Sequence, residues 1–261
     1  FAMGAQAQSV LAIATVPYGR ERVVEQTLYD VMSGALKVVS QSGAVLAGGH
    51  SSEGAELAFG LTVNGFIAPD QVLRKGGLRP GDALILTKPV GTGTLFAADM
   101  RRRAKGRWVD AAIQTMLLSS QAAAECLQDF GVSACTDVTG FGLLGHLVEM
   151  TRSAGVDAEL CIDDIPILAG AAETVAAGIL SSLQPQNLRL RRAVRDLERA
   201  AHHPRYPLLF DPQTAGGLLA GVPGARAEDC ILALKACGYP ETALVGRVLE
   251  RSDAAEPIVL I

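Results

Sequence analysis

Aromatic side chains are scarce, with one Trp, four Tyr and seven Phe in 261 residues. That leaves little material for the stacking platforms that grip unpaired bases. Positive charge is not in excess either: 23 Lys and Arg stand against 27 Asp and Glu, whereas a dedicated nucleic-acid binder usually shows a basic face. No nucleic-acid partner is expected. No apolar run reaches the ~18–20 residues of a membrane span, because Pro, Gly or charge interrupts each candidate, so no membrane partner is expected. The start, Phe1-Ala2-Met3-Gly4, lacks an initiator Met and a basic stretch ahead of an apolar one, so no secretory signal is visible. The cysteines (Cys126, Cys135, Cys161, Cys230, Cys237) form no C-x-x-C pair. They read as reduced thiols of a cytoplasmic protein, with neither a disulfide frame nor a zinc site.

Apolar residues and glycine, by contrast, are plentiful. Hydrophobic residues make up 49 % of the chain, and the positive mean hydropathy excludes a disordered polymer. The length suits one large or two medium domains. Ser9 to Val16 reads as a buried strand. Val24, Leu28, Val31, Leu36 and Val39 recur as on an amphipathic helix over 22–41, with Gly43 at its end. Leu57 to Val63 reads as another strand. The turn-rich stretch 69–82, with Lys75-Gly76-Gly77 and Pro80-Gly81, marks a domain boundary. Beyond it strands are expected at 83–87, 133–137, 157–162, 243–248 and 258–261. Helices are expected at 109–130 (apart from the Ser119-Ser120 pair), 143–153, 190–201 and 227–237. The alternation predicts an α/β (α+β) fold of helices packed on mixed sheets. Arg101-Arg102-Arg103, with Lys105 and Arg107, reads as a solvated helix end or an anion contact.

Four glycine-bearing turns follow or adjoin the expected strands: Gly48-Gly49-His50-Ser51, Gly91-Thr92-Gly93, Gly140-Phe141-Gly142 and Gly216-Gly217. Without a Cβ, such turns let backbone N–H groups converge on phosphate oxygens; they can equally be tight turns of a compact fold. Gly140 to Gly145 spells G-x-G-x-x-G between a strand and a helix, with Asp157 and Glu159 downstream, so a dinucleotide-binding unit is one reading. Asp137, three residues before Gly140, argues against it. A carboxylate about 4 Å from a phosphate charge costs on the order of 4 kcal/mol at an effective dielectric near 20, and a divalent cation between the two reverses the sign. Mg²⁺ uses one or two carboxylates plus phosphate oxygens and water, so the local pattern favours a magnesium nucleotide; Asp137 capping a turn is the alternative. His50 stands at an expected strand end, and Lys88 reads as a phosphate partner or a solvated strand end. His146 lies on the helix after Gly145, and Asp211-Pro212-Gln213-Thr214 could orient another loop.

The string Thr136-Asp137-Val138-Thr139-Gly140-Phe141-Gly142-Leu143-Leu144-Gly145-His146 resembles the signature of the selenophosphate synthetase (selenide, water dikinase) family. Phe1-Ala2-Met3-Gly4, Leu46 to Ser51, Leu86 to Gly93 and Asp211 to Leu218 match the same family in its order, across nearly the whole chain. The resemblance implies a two-domain fold like aminoimidazole ribonucleotide synthetase, with residues 1–75 the remainder of an N-terminal ATP-binding and dimerisation domain and 76–261 a C-terminal domain. It implies a homodimer that converts ATP, selenide and water into selenophosphate, AMP and phosphate, with Mg²⁺ and usually K⁺. Carried over by position, Asp137 is a magnesium ligand, and Gly49, His50 and Ser51 contact ATP. The family's other metal-binding aspartates, its glycine-rich segment with Lys, and its Cys or selenocysteine would precede Phe1. No catalytic residue is therefore assigned within 1–261, and this polypeptide alone is expected to turn over ATP negligibly. Two alternatives are a non-catalytic nucleotide-binding paralogue and a related superfamily kinase with another acceptor.

Overall fold

The structure, a computed structural model, describes residues 1–261 and divides into two compact units, residues 3–72 and 73–261. In the first, β1 (Gln6–Pro17), α1 (Glu21–Gln41), β2 (Val45–Gly54) and β3 (Ala58–Phe66) follow in order. β1 is central, parallel to β2 and antiparallel to β3. Along β1, Val10, Ala12, Ala14 and Val16 are buried while Leu11 and Ile13 face outward, the alternation of a strand with one covered face. A small core of Ala7, Val10, Val39 and Ala44 joins the sheet to the end of α1.

The second unit is built on a six-stranded sheet: β4 (Asp82–Leu86), β5 (Ala134–Asp137), β6 (Asp157–Leu160), β7 (Leu218–Pro223), β8 (Ala243–Leu249) and β9 (Ile258–Leu260). The spatial order is β5-β7-β4-β8-β6-β9, antiparallel throughout except between β6 and β9. Helices α2 (Thr92–Met100), α3 (Gly106–Leu117), α4 (Gln121–Asp129), α5 (Gly142–Ala154), α6 (Ala171–Ala176), α7 (Gln184–Asn187), α8 (Leu197–Ala201) and α9 (Ala227–Ala236) surround it. Strand β4 shows why five apolar or buried residues run without a break: Leu84 and Leu86 enter the larger core with α5, and Ala83 and Ile85 enter a second core with α4 and α9. Truncating Leu84, Ile85 or Leu86 to Ala would cost about 2–5 kcal/mol.

Four expectations change. The helix expected over 109–130 is two, because Leu118 turns extended and the carbonyls of Leu118 and Ser119 are taken by Lys88 Nζ and the Tyr239 hydroxyl, each at 2.5 Å. The helix expected over 190–201 is a 3₁₀ turn (Leu188–Ala193), an extended residue at Val194 that bridges Ile258, and the short α8. Gly48-Gly49-His50-Ser51 is not a turn but the middle of β2, held by its pairing with β1. The dinucleotide-binding reading fails on topology: β5 pairs only with β7, antiparallel, and β6, reached through α5, lies beyond three intervening strands. The parallel neighbours of a dinucleotide-binding unit are absent.

Candidate functional site

Strand β5 delivers Asp137 to the surface at its last residue, and the chain then makes a tight turn into α5. The inner side of this turn is fully anchored. Val138 N–H donates to Gly217 O at 2.8 Å, Thr139 N–H to His146 Nε2 at 3.0 Å, and Thr139 O accepts from Gln213 N–H and Gly142 N–H, both at 3.0 Å. Asn187 Nδ2 donates to Gly140 O at 2.8 Å. Gly142 is required: its φ is +71°, and a Cβ there would stand 2.8 Å from the Phe210 carbonyl carbon. The outer side is open. Gly140 and Phe141 are exposed, their N–H groups have no acceptor within the chain, and the Asp137 carboxylate has no partner. A carboxylate and two free amides thus share one exposed corner at the start of a helix, where the helix dipole favours negative charge.

The imidazole of His146 is nearly buried, and burial pulls its pKa down. A neutral ring is what the geometry needs, since Nε2 must accept the Thr139 N–H. Phe141 lies against it with ring centroids 5.7 Å apart.

The Gly91 turn has the same ingredients and the opposite outcome. Gly91 N–H, Thr92 N–H and the Thr92 hydroxyl all donate to Gln213 Oε1 at 2.9, 3.2 and 3.2 Å, and Gly93 N–H donates to Asp211 Oδ2 at 3.0 Å. The start of α2 is therefore capped from inside the protein. Asp211 and Gln213 do orient this loop, and Gln213 N–H holds the Asp137 turn as well. Burial pushes the Asp211 carboxyl up to about 7 although hydrogen bonds from Gln213 and the Gly93 and Thr94 amides oppose this. Its Oδ1 has no partner.

Lys88 is 2 % exposed, so it is neither a solvated strand end nor free for a phosphate. Its Nζ donates to the carbonyls of Leu118 and Ala215, and burial lowers it to about 8. Asp157 and Glu159 are committed too. Arg195, Arg251 and Ser252 surround the Asp157 carboxylate, holding it at about 2 despite burial that would raise it, and Glu159 pairs with Arg247. The arginines at 101–103 follow α2 and are exposed.

In the first unit, the β2 register sets Ser51 beside buried Ala14 and His50 beside exposed Ile13, so the two side chains leave opposite faces. A Cβ on Gly49 would lie 1.9 Å from the Ala12 carbonyl oxygen, so only glycine permits this strand pairing. Between the sheet and α1 is a cavity of about 250 Å³ lined by Leu28, Met32, Leu46, Gly49 and Ser51 among others.

Asp137 fits a magnesium ion only as part of a set. The chain contains no group of three or more His, Cys, Asp or Glu placed to hold a metal. An exposed carboxylate beside free amides matches the one or two carboxylates that Mg²⁺ uses when phosphate and water supply the remaining oxygens. Of the residues that anchor these turns, Asn187 carries no local sequence signal, whereas the Asp211-Pro212-Gln213-Thr214 stretch was expected to orient a loop and does.

Residues 79–256 match the family model of the AIR synthase related protein C-terminal domain. The selenide, water dikinase of Pelobacter propionicus is 38 % identical over 250 residues, covering 96 % of this chain and 71 % of its own length. That of Geobacter metallireducens is 41 % identical over 254 residues, covering 97 % of this chain and 73 % of its own. Among solved structures, the hydrogenase maturation protein HypE in complex with ATP superposes with a TM-score of 0.70 at 15 % identity, covering 99 % of this chain and 71 % of that one. That likeness shows the shared fold, mixed sheets with packed helices. At this level of identity and coverage, the chain belongs to the selenide, water dikinase family.

Proposed function

We propose that this chain serves the ATP-dependent synthesis of selenophosphate from selenide and water, with release of AMP and phosphate. Kinship with selenide, water dikinases along 96–97 % of the chain supports the reaction. The single structural observation that carries its assignment to a site is the open corner at Asp137, where a carboxylate and two unclaimed amides meet. Phosphoryl transfer asks a protein mainly for positioning and charge neutralisation. The Gly140 and Phe141 amides would accept phosphate oxygens, and the inner anchors would keep them in place without reorganisation.

Asp137 would hold Mg²⁺, which when bound offsets the charge of the phosphate oxygens; K⁺ is proposed as a further ion. Gly49, His50 and Ser51 would contact the nucleotide. The roles of residues 1–75 and 76–261 as ATP-binding and C-terminal domains, and a cytoplasmic location, belong to the same reading. A homodimer is supported by uncovered apolar residues on both faces of the first unit's sheet, Leu11 and Ile13 on one and Phe59, Leu61 and Val63 on the other, all exposed.

The test is Asp137→Asn, which keeps the shape and removes the charge. Mg²⁺-dependent binding of an ATP analogue should weaken roughly tenfold or more, with the melting temperature unchanged because the carboxylate has no internal partner. Binding equal to the wild type would return Asp137 to the role of a strand-end surface residue.

A further inference from the structure

The turn at Asp137 has one peptide whose orientation decides what it offers a ligand. Thr139 to Gly142 closes through Gly142 N–H to Thr139 O. Phe141, at φ −83° and ψ −2°, occupies the third position of a type I turn. The central peptide joins Gly140 to Phe141. In a planar trans peptide the C=O and the following N–H point in opposite directions, so whatever grips the Gly140 carbonyl aims the Phe141 amide. Inverting this one peptide would give the type II turn, swinging the amide inward and the carbonyl out toward any phosphate.

Asn187 is what grips it. Its Nδ2 donates to Gly140 O at 2.8 Å and to Phe210 O at 3.0 Å, spending both hydrogens, and the residue is 6 % exposed. Two carbonyl acceptors leave no ambiguity about which end of the amide faces the turn. Asn187 ends α7, forty-seven residues beyond Gly140, and touches neither Asp137 nor the open side. We infer that Asn187 is a positioning residue that fixes the Gly140–Phe141 peptide so that the Phe141 N–H points at a phosphate oxygen of the bound nucleotide. The inference rests on the proposed magnesium-nucleotide reading of this corner and adds the device that sets its donor.

The neighbouring Gln184 supplies a matched control. It sits on the same short helix at 1 % exposure, and its Nε2 donates to the Pro207 carbonyl at 2.7 Å, away from the turn. Calorimetry with Mg·AMPPNP would compare the wild-type chain with Asn187→Ala, Gln184→Ala and Asp137→Asn. Asn187→Ala should weaken binding about fivefold while Gln184→Ala, of similar cost to folding, leaves it within error. In ¹⁵N spectra the Phe141 amide should shift on adding Mg·AMPPNP in the wild type and not in the variant. Should Asn187→Ala fail to fold, Asn187→Ser retains one donor and is expected to give the same effect at smaller size. Equal losses in the Asn187 and Gln184 variants would overturn the inference, reducing Asn187 to a packing role. Weakening in Asp137→Asn with full affinity and an unchanged Phe141 response in the Asn187 variant would overturn the inference and spare the magnesium reading. Wild-type affinity in both would remove the two together.

Discussion

Two glycine turns at helix starts, Gly91-Thr92-Gly93 before α2 and Gly140-Phe141-Gly142 before α5, are close in composition and opposite in use. In the first, Gln213 and Asp211 reach in and take all three amides. In the second, the protein holds the carbonyls and leaves the Gly140 and Phe141 amides to the outside. A helix start will bind whatever acceptor is at hand, so the difference lies in whether the fold has already supplied one. The filled turn trades ligand binding for rigidity, and it spends that rigidity on the open one: Gln213, which caps α2 with its side chain, holds Thr139 O with its own backbone N–H.

The largest expected effect lies at the filled turn. Gln213→Ala strips the acceptor from two buried amides and a buried hydroxyl, each worth about 1–3 kcal/mol when left unsatisfied, so destabilisation of about 2–4 kcal/mol is expected after partial relaxation. Gly93→Ala should act in the same direction, since its Cβ would fall 2.5 Å from the Pro212 carbonyl oxygen. Chemical denaturation reads both. A stability within error of the wild type for Gln213→Ala would mean that the amides of α2 find water as readily as the amides of α5 do, and the contrast between the turns would be lost.

A second effect of intermediate size concerns pH. In the folded protein the Asp211 carboxyl keeps its proton up to about 7, while in the unfolded chain it releases it near the ordinary carboxylate value of about 4. Between those values the folded state binds the extra proton, so stability falls as pH rises from about 4 to 7 and is level above. Asp211→Asn has no proton to lose. The stability difference between Asn and Asp forms should therefore grow across that window by on the order of 1–4 kcal/mol, measured by urea unfolding at pH 4, 5.5 and 7. Parallel curves for the two proteins would show that Asp211 is ionised throughout, and that the α2 cap is a charged one.

The open turn was legible in the sequence because its parts are contiguous: the strand, Asp137, the glycines and the helix all lie between Ala134 and Ala154. For the filled turn the pairing was not: Asp211 and Gln213 were expected to orient a loop, but they stand about 120 residues downstream, and nothing in Gly91-Thr92-Gly93 says which loop will cap it. Asn187 left no trace for the same reason. Lys88 misled by its type: lysine usually ends in water, and here carbonyls at Leu118 and Ala215 take it in. Gly48 to Ser51 misled by composition, since the glycines that suggested a turn are what allows β2 to run tight against Ala12. In each case the deciding neighbour came from far along the chain.

The smallest effect is the sharpest probe of the comparison. Gly140 has a φ outside the left-handed region, and a Cβ added there meets no atom within 4 Å. Alanine should thus fit Gly140 with a stability change within roughly 0.5 kcal/mol, or a slight gain from the stiffer unfolded chain. A Cβ on Gly93 would collide, whereas one on Gly140 would point into open space, and that asymmetry is what an internally filled turn and a ligand-facing turn should display. If Gly140→Ala melts as low as Gly93→Ala, the space beside Asp137 is already occupied by the protein itself, and the corner is not available to a phosphate.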